Sequence, residues 1–132
     1  LFLFDEVSGN KLKNREIAQL LREHGVGPND RITADSGGEG PKSIGDFRDM
    51  GFAMRGAKKG PGSVEYSMKW LSSLNEIVID GHRCPHAAAE FSAYEYERTK
   101  DGEVISGYPD RDNHSIDAVR YALEEVWKRK GQ

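Results

Sequence analysis

The sequence lacks features that several protein classes require. Cys84 is the only cysteine among the 132 residues, so no disulfide can form within the chain. No apolar run reaches the roughly 20 residues that a transmembrane helix needs, and the apolar residues 1–4 are too few for the apolar region of a secretion signal. The GxxxxGK[S/T] motif of phosphate-binding loops is also absent, so we expect no ATP site of that type.

A surplus of basic residues is missing as well. The 19 lysines and arginines are outnumbered by 22 aspartates and glutamates, which gives a net charge of -3. A protein that only coats DNA would be strongly basic, whereas an enzyme that holds divalent metal ions needs clustered carboxylates. Any DNA contact must therefore come from a local basic patch. The length suits one domain, and we interpret residues 1–132 as a single one.

What is present is a regular alternation of strand and helix patterns. The patterns predict strands at 1–7, 31–36, 52–57 and 76–80, helices at about 14–24, 41–50, 63–74 and 85–92, and a last helix from Asn113 or Asp112 to about Arg129. Asn14 and Ser63 are the expected N-caps of their helices, and Pro41 suits a first helical turn. This alternation predicts an α/β fold with parallel strands and helices on the faces of the sheet.

Two further patterns complete the predicted architecture. Tyr94 and Tyr96 alternate with glutamates, and Asp101-Gly102 favours a tight turn, so we expect a β-hairpin at 93–99 and 103–107. Apolar residues at helical spacing are expected to face the core: Leu12, Ile17, Leu20 and Leu21; Val64, Met68, Leu71 and Leu74, with Trp70 beside them; and Ile116, Val119, Leu123 and Val126 or Trp127.

Asp35 closes a predicted strand and precedes a glycine-rich loop at 37–40. In α/β sheets, ligands bind beyond the carboxyl ends of the strands, so a reactive residue is expected at this position. The loop lacks the GxGxxG spacing of dinucleotide-binding proteins. Position alone leaves two interpretations open: Asp35 contributes to a site, or it only turns the chain after a strand.

His114 and Asp117 open the last predicted helix. Residues three apart share one helix face, and the positive end of the helix dipole favours an ionised acid in the first turn. An ionised carboxylate suits a hard cation such as Mg²⁺ or Mn²⁺. The alternative is ordinary helix-start chemistry, because aspartate and asparagine are common there in any case.

The best local basic patch consists of Arg55, Lys58 and Lys59, around a glycine-rich loop that a phosphate could approach closely. We interpret these residues as candidate DNA contacts, with a solvated loop as the alternative. The His82-Arg83-Cys84-Pro85-His86 segment lacks the ligand spacing of structural zinc sites, so we expect Cys84 to be a packed thiol.

Several segments together resemble the nuclease domain of phage large terminase subunits. DRDNHSIDAVRYALE, from residue 110, is similar to the family's last motif, D-x-x-N-H-x-I-D-A-x-R-Y-A-L. TADSGGEGPKSI, from residue 33, resembles its strand that ends in A-D-S. KKGPGSVEYSMKWL, from residue 58, and LFLFDEV, from residue 1, resemble further segments. The resemblance covers nearly the whole chain, with the motifs in the family's order.

The resemblance implies a ribonuclease H-like fold: a mixed sheet flanked by helices, with an added β-hairpin before the C-terminal helix. It implies that Asp35, Asp117 and His114 belong to a catalytic site holding two Mg²⁺ or Mn²⁺ ions. His114 could ligate metal, orient water or contact phosphate. The implied activity is endonucleolytic cutting of concatemeric double-stranded phage DNA during packaging, in the host cytoplasm. The implied partners are an ATPase domain, the portal and the small terminase subunit, with no membrane involved.

The sequence departs from the family pattern at its start. The first strand, with its metal-binding aspartate, is not among the given residues, and the chain is expected to begin at the third strand of the fold. Asp5 lies on a different strand, where a structural pairing is expected. A non-catalytic DNA-gripping or motor-docking module is therefore an alternative function. Another ribonuclease H-like enzyme, such as a resolvase or transposase, is a third, which the paired ADS and NHSIDAxRYAL motifs disfavour.

Overall fold

The computed structural model describes residues 1–93 and 113–130. In chain order the elements are β1 (Phe2–Leu3), α1 (Asn14–Glu23), β2 (Arg31–Ala34), α2 (Gly40–Asp49), β3 (Ala53–Gly56), α3 (Ser63–Ser73), β4 (Val78–Ile79), α4 (Pro85–Ala93), α5 (His114–Ala122) and α6 (Glu124–Lys130). Strands and helices alternate up to α4, which confirms the predicted α/β class. No helix in these ranges is long and apolar enough to cross a membrane.

The described strands form two parallel pairs rather than one continuous sheet. β1 pairs with β4, and β2 pairs with β3 in a register that runs from Arg31 opposite Ala53 to Ala34 opposite Gly56. The strands predicted at 1–7 and 76–80 are only two residues long. After each strand an aspartate side chain, Asp5 or Asp80, accepts hydrogen bonds from backbone N–H groups that follow it, which favours a turn there.

The first apolar cluster lies between the β2–β3 pair and two helices. It contains Ala18 of α1, Ile44 and Phe47 of α2, Phe52 and Met54. The Phe47 and Phe52 rings meet edge to face, with their centroids 5.9 Å apart. This cluster packs against one face of β2, through Ile32 and Ala34, and so fixes the strand that leads into Asp35.

The second cluster holds α3 against α5. Its buried members are Met68, Leu71 and Ile116, surrounded by partly buried apolar residues that include Val119 and Leu123. Val64, which was expected to face the core, is exposed, and so is Val126, the first of the two alternatives near the end of the last helix. Trp127 is buried instead and contacts Tyr66, with their ring centroids 5.7 Å apart, so the second of the two alternatives for α6 is correct.

Two predicted helix caps are wrong by one residue. Asn14 is the first residue of α1, and its side-chain amide donates to Ser43 Oγ (3.2 Å) and Asp46 Oδ2 (3.1 Å) of α2. Ser63 likewise begins α3, and the cap position belongs to Gly62, whose φ of 73° favours glycine. Tertiary hydrogen bonds in one case and a left-handed turn in the other outweigh the local preference for a capping side chain.

The last helix was predicted to run without a break to about Arg129, but it is divided at Leu123 into α5 and α6. The carbonyl of Arg120 accepts a hydrogen bond from the Trp127 indole (2.9 Å). The indole satisfies a carbonyl that α5 leaves free at its end. The predicted hairpin lies outside the described residues, except that Ala93 belongs to α4.

Candidate active site

Asp35 follows β2 directly, at the carboxyl end of the strand. Its Oδ1 accepts the backbone N–H of Gly37 (2.9 Å) and a hydrogen bond from the Lys59 ammonium (2.5 Å). The Lys59 contact and then the Gly37 N–H lower the pKa of the Asp35 carboxyl below its usual value. The side chain remains 61% exposed, so Asp35 is an accessible, ionised carboxylate that already binds a cationic group.

Lys59 reaches Asp35 from the loop that follows β3. Its ammonium also lies 5.4 Å from the ring centroid of Tyr121 on α5. The Asp35 carboxylate is the main reason that the pKa of Lys59 is raised. Lys59 therefore links the end of β2 to α5, and these two elements also pack directly against each other.

Asp117 lies on α5, one helical turn before Tyr121, and is oriented by a buried arginine. The Arg120 guanidinium donates to Asp117 Oδ1 (2.7 Å) and, through Nε, to Ser67 Oγ of α3 (2.6 Å). The Ser67 hydroxyl in turn donates to the carbonyl of Ser63 (2.7 Å). Arg120 is only 5% exposed, so this chain of hydrogen bonds fixes the acid relative to α3 from inside the protein.

Sequence reasoning missed both Arg120 and Ser67. The signal for Arg120 was its position three residues after Asp117, where an arginine and an acid share a helix face. The signal for Ser67 was a small polar residue beside the apolar Met68 of α3. Neither signal says that the two side chains meet, because they are 53 positions apart in sequence.

His114 begins α5 and is exposed. It lines a cavity of about 740 Å³ that Glu6, His86 and Glu90 also line. Glu90 of α4 accepts the backbone N–H of Ser115 (2.7 Å), so a carboxylate from another helix stabilises the start of α5. Of the two N-caps that the sequence offered, Asn113 or Asp112, Asn113 occupies the position, but the sequence gave no sign of Glu90.

The structure does not bring all of the predicted site residues together in one place. Among residues 1–93 and 113–130, no three His, Cys, Asp or Glu side chains are grouped closely enough to hold a metal ion. Lys59 connects Asp35 to the helix that carries Asp117, whereas His114 faces the cavity near Glu90. The donors nonetheless suit a hard cation, since Asp35 is an ionised carboxylate whose oxygen accepts a hydrogen bond from the Lys59 ammonium.

The predicted basic patch is largely paired within the protein. Arg55 lies 3.6 Å from both Glu124 and Glu125 of α6. Glu124 is buried, and its Oε2 accepts the backbone N–H of Lys58 (2.8 Å), which fixes the loop that carries Lys59. The Lys58 residue itself is exposed. Glu124 is a further functional candidate that the sequence did not reveal, because its partners in the loop after β3 and in β3 itself, Lys58 and Arg55, lie more than 60 positions away.

Two smaller expectations are confirmed. Asp5 pairs with His24 (Oδ2 to Nδ1, 2.7 Å), and this hydrogen bond lowers the pKa of the Asp5 carboxyl, which fits the structural role expected of it. Cys84 is fully buried, and its Sγ lies 3.7 Å from the carbonyl of Leu3. Burial raises the pKa of the Cys84 thiol, in agreement with a packed side chain.

Comparison with known proteins identifies the family. The terminase RNAseH like domain matches residues 1–125. This chain belongs to that family. The crystal structure of the large terminase nuclease domain from bacteriophage SPP1, with bound Mn, superimposes with a TM-score of 0.82 at 40% identity, covering 94% of this chain and 70% of that one. The ribonuclease H-like fold implied by the resemblance is thereby confirmed.

Two full-length terminases are also similar to this terminase domain. The large subunit of Bacillus phage SPP1 is 39% identical over 133 residues, which is 99% of this chain and 31% of that protein. The PBSX phage terminase large subunit of Bacillus subtilis is 34% identical over 125 residues, which is 95% of this chain and 28% of that protein. The chain thus spans about a third of the length of these relatives.

Proposed function

We propose that this terminase domain is a metal-dependent endonuclease that cuts concatemeric double-stranded phage DNA during genome packaging. The observation that carries the proposal is the accessible, cation-binding carboxylate of Asp35 at the end of β2, beside the helix that presents Asp117. The SPP1 nuclease domain, which is 40% identical, was solved with bound Mn. We place the activity in the host cytoplasm, together with an ATPase domain, the portal and the small terminase subunit.

In this proposal Asp35 and Asp117 hold Mg²⁺ or Mn²⁺, with His114 as a further member of the catalytic set. Two bound divalent ions would acidify a water molecule for attack and stabilise the leaving oxygen of the phosphodiester. Arg120 keeps the Asp117 carboxylate in one orientation, because its own position is fixed by Ser67. The role of His114 stays open between metal binding, water orientation and phosphate contact.

DNA would approach along the loop after β3. Lys58 is exposed there, and Lys59 and Arg55 add positive charge even though acids pair with them. Contacts from such residues to phosphate position the duplex without reading its sequence. We therefore propose that this loop orients the DNA backbone over Asp35, with little sequence preference.

One observation favours a second candidate function, a non-catalytic DNA-gripping or motor-docking module. Within the described ranges no three ligands are grouped for metal, and Lys59 and Arg120 already neutralise the two acids. Such a module would bind DNA with the salt dependence of phosphate contacts but would not cut it.

Cleavage of supercoiled plasmid in the presence of Mn²⁺ separates the two functions. We expect the chain to nick or linearise the plasmid, and expect Asp35→Asn and Asp117→Asn to lower the rate by at least about 100-fold, since each removes a metal ligand. Asp49→Asn, at an exposed position ending α2, is the matched control and should cleave normally. Plasmid binding without cleavage, or equal cleavage by all four proteins, would refute the assignment.

A further inference from the structure

We propose that Lys59 is a built-in counter-cation of the metal site, occupying Asp35 in the metal-free protein and competing with the divalent ion for that carboxylate. This inference rests on the proposed function and adds a regulatory role for one of its residues. Lys59 would then set the metal concentration at which the site loads, in addition to any contact with DNA.

The first support is the position of the ammonium. Lys59 Nζ lies 2.5 Å from Asp35 Oδ1, where a cation bound to this carboxylate would be found. The same oxygen accepts the N–H of Gly37, and a Cβ at Gly37 would lie 3.6 Å from Lys59 Nζ, so the loop backbone lies against one side of the pair. An ion that binds Oδ1 at this place must displace the ammonium.

The second support is that the protein holds Lys59 in place through its backbone. Glu124 accepts the N–H of the preceding residue, Lys58 (2.8 Å), and the Lys128 ammonium donates to the Lys58 carbonyl (3.3 Å). Both contacts come from α6. Because the loop is anchored at the N–H and at the carbonyl of Lys58, less conformational entropy is lost when the Lys59 side chain pairs with Asp35.

The third support is the charge and exposure of the pair. Asp35 is 61% exposed and Lys59 43% exposed, so solvent and ions reach both groups. A monovalent ammonium in such a place is attracted less strongly than a divalent ion. While it is paired with Asp35, the Lys59 ammonium lies 5.4 Å from the centroid of the Tyr121 ring, so an aromatic face is within reach when the ammonium leaves the carboxylate. Metal loading would therefore convert Lys59 from a partner of the acid into a cation available to DNA.

Metal titration tests this competition without measuring cleavage. Isothermal titration calorimetry with Mn²⁺ would compare the 132-residue chain with Lys59→Met, Lys59→Arg and the neighbouring control Lys58→Met. Removing one positive charge beside a divalent ion should tighten binding on the order of tenfold in Lys59→Met. Lys58→Met, which lies outside the pair, should stay within about twofold of the parent chain, and Lys59→Arg, which keeps the positive charge, should bind Mn²⁺ more weakly than Lys59→Met.

The outcomes separate this inference from the proposed function. Unchanged or weaker Mn²⁺ binding by Lys59→Met, while the parent chain binds Mn²⁺, would overturn the competition alone, whereas failure of every variant to bind would overturn both the competition and the proposed function. If Asp35→Asn binds Mn²⁺ as tightly as the parent chain, the metal site itself is wrongly placed. A second readout is the ¹⁵N signal of the Lys59 ammonium in NMR. Addition of diamagnetic Mg²⁺ should shift it in the parent chain, and an unmoved signal while metal binds would contradict displacement.

Discussion

The buried carboxylate of Glu124 provides a sharp test of how the β3–α3 loop is held. Glu124→Gln preserves the shape of the side chain but removes its charge. Glu125→Gln is the matched control, since the two glutamates are adjacent on α6 and both contact Arg55 at 3.6 Å. They differ in burial: the Glu124 side chain is 4% exposed and that of Glu125 is 48% exposed.

The expected loss in Glu124→Gln follows from three contacts. The carboxylate accepts the Lys58 N–H at 2.8 Å and lies 3.2 Å from the Lys128 ammonium and 3.6 Å from Arg55. If the amide oxygen keeps the Lys58 N–H, the amide NH₂ is directed at cations. Loss of charge-assisted hydrogen bonds lowers the free energy of unfolding by about 1.5–3 kcal/mol. We expect a loss of about 2 kcal/mol here, because the Arg55 and Lys128 side chains are both about a third exposed. Glu125→Gln should cost about 0–1 kcal/mol.

Urea unfolding followed by circular dichroism would measure the free energy of unfolding of both variants, and thermal unfolding would measure their Tm. For a chain of this length, a loss of about 2 kcal/mol corresponds to a Tm lower by roughly 6–8 °C. Equal losses for the two variants would refute the reasoning, because it depends on the burial of one carboxylate and the exposure of the other. A larger loss in Glu125→Gln would refute it more strongly.

Two further predictions concern buried groups. Arg120→Met should lower the free energy of unfolding by about 2–3 kcal/mol, because it removes charged hydrogen bonds to Asp117 and Ser67. The same substitution should weaken Mn²⁺ binding by about 10–100-fold. A change in the free energy of unfolding within about 0.5 kcal/mol would count against the hydrogen-bond network. Cys84 should react with a thiol reagent far more slowly in the native protein than in urea, since the side chain is fully buried and its pKa is raised. Equal rates in a colorimetric thiol assay would contradict that burial.

The α/β class and the place of Asp35 could be predicted because both depend on local patterns. Alternating strand and helix periods give the order of elements, and an acid at the carboxyl end of a strand is positioned by the strand itself. The burial of Cys84 was predicted for a similar reason, since a lone cysteine without ligand spacing behaves as a small apolar residue.

The rest of the site depends on contacts between distant segments. Asn14 was expected to cap α1 but instead donates to α2, because partners 29 and 32 positions away are present only in the folded chain. Glu124 and Arg120 likewise gain their roles from loops and helices remote in sequence. At the division at Leu123 the Trp127 indole donates to the Arg120 carbonyl, a contact that no helical period reveals.

The most direct test of the central claim is a crystal structure of this chain with Mn²⁺, using anomalous scattering to locate the ion. We predict a peak between Asp35 and Asp117, at about 2.1 Å from carboxylate oxygens, a distance typical of small hard divalent ions such as Mg²⁺, with Lys59 moved away from Asp35. A peak elsewhere, such as beside Glu6 and His86, or no peak while Lys59 stays on Asp35, would contradict the account.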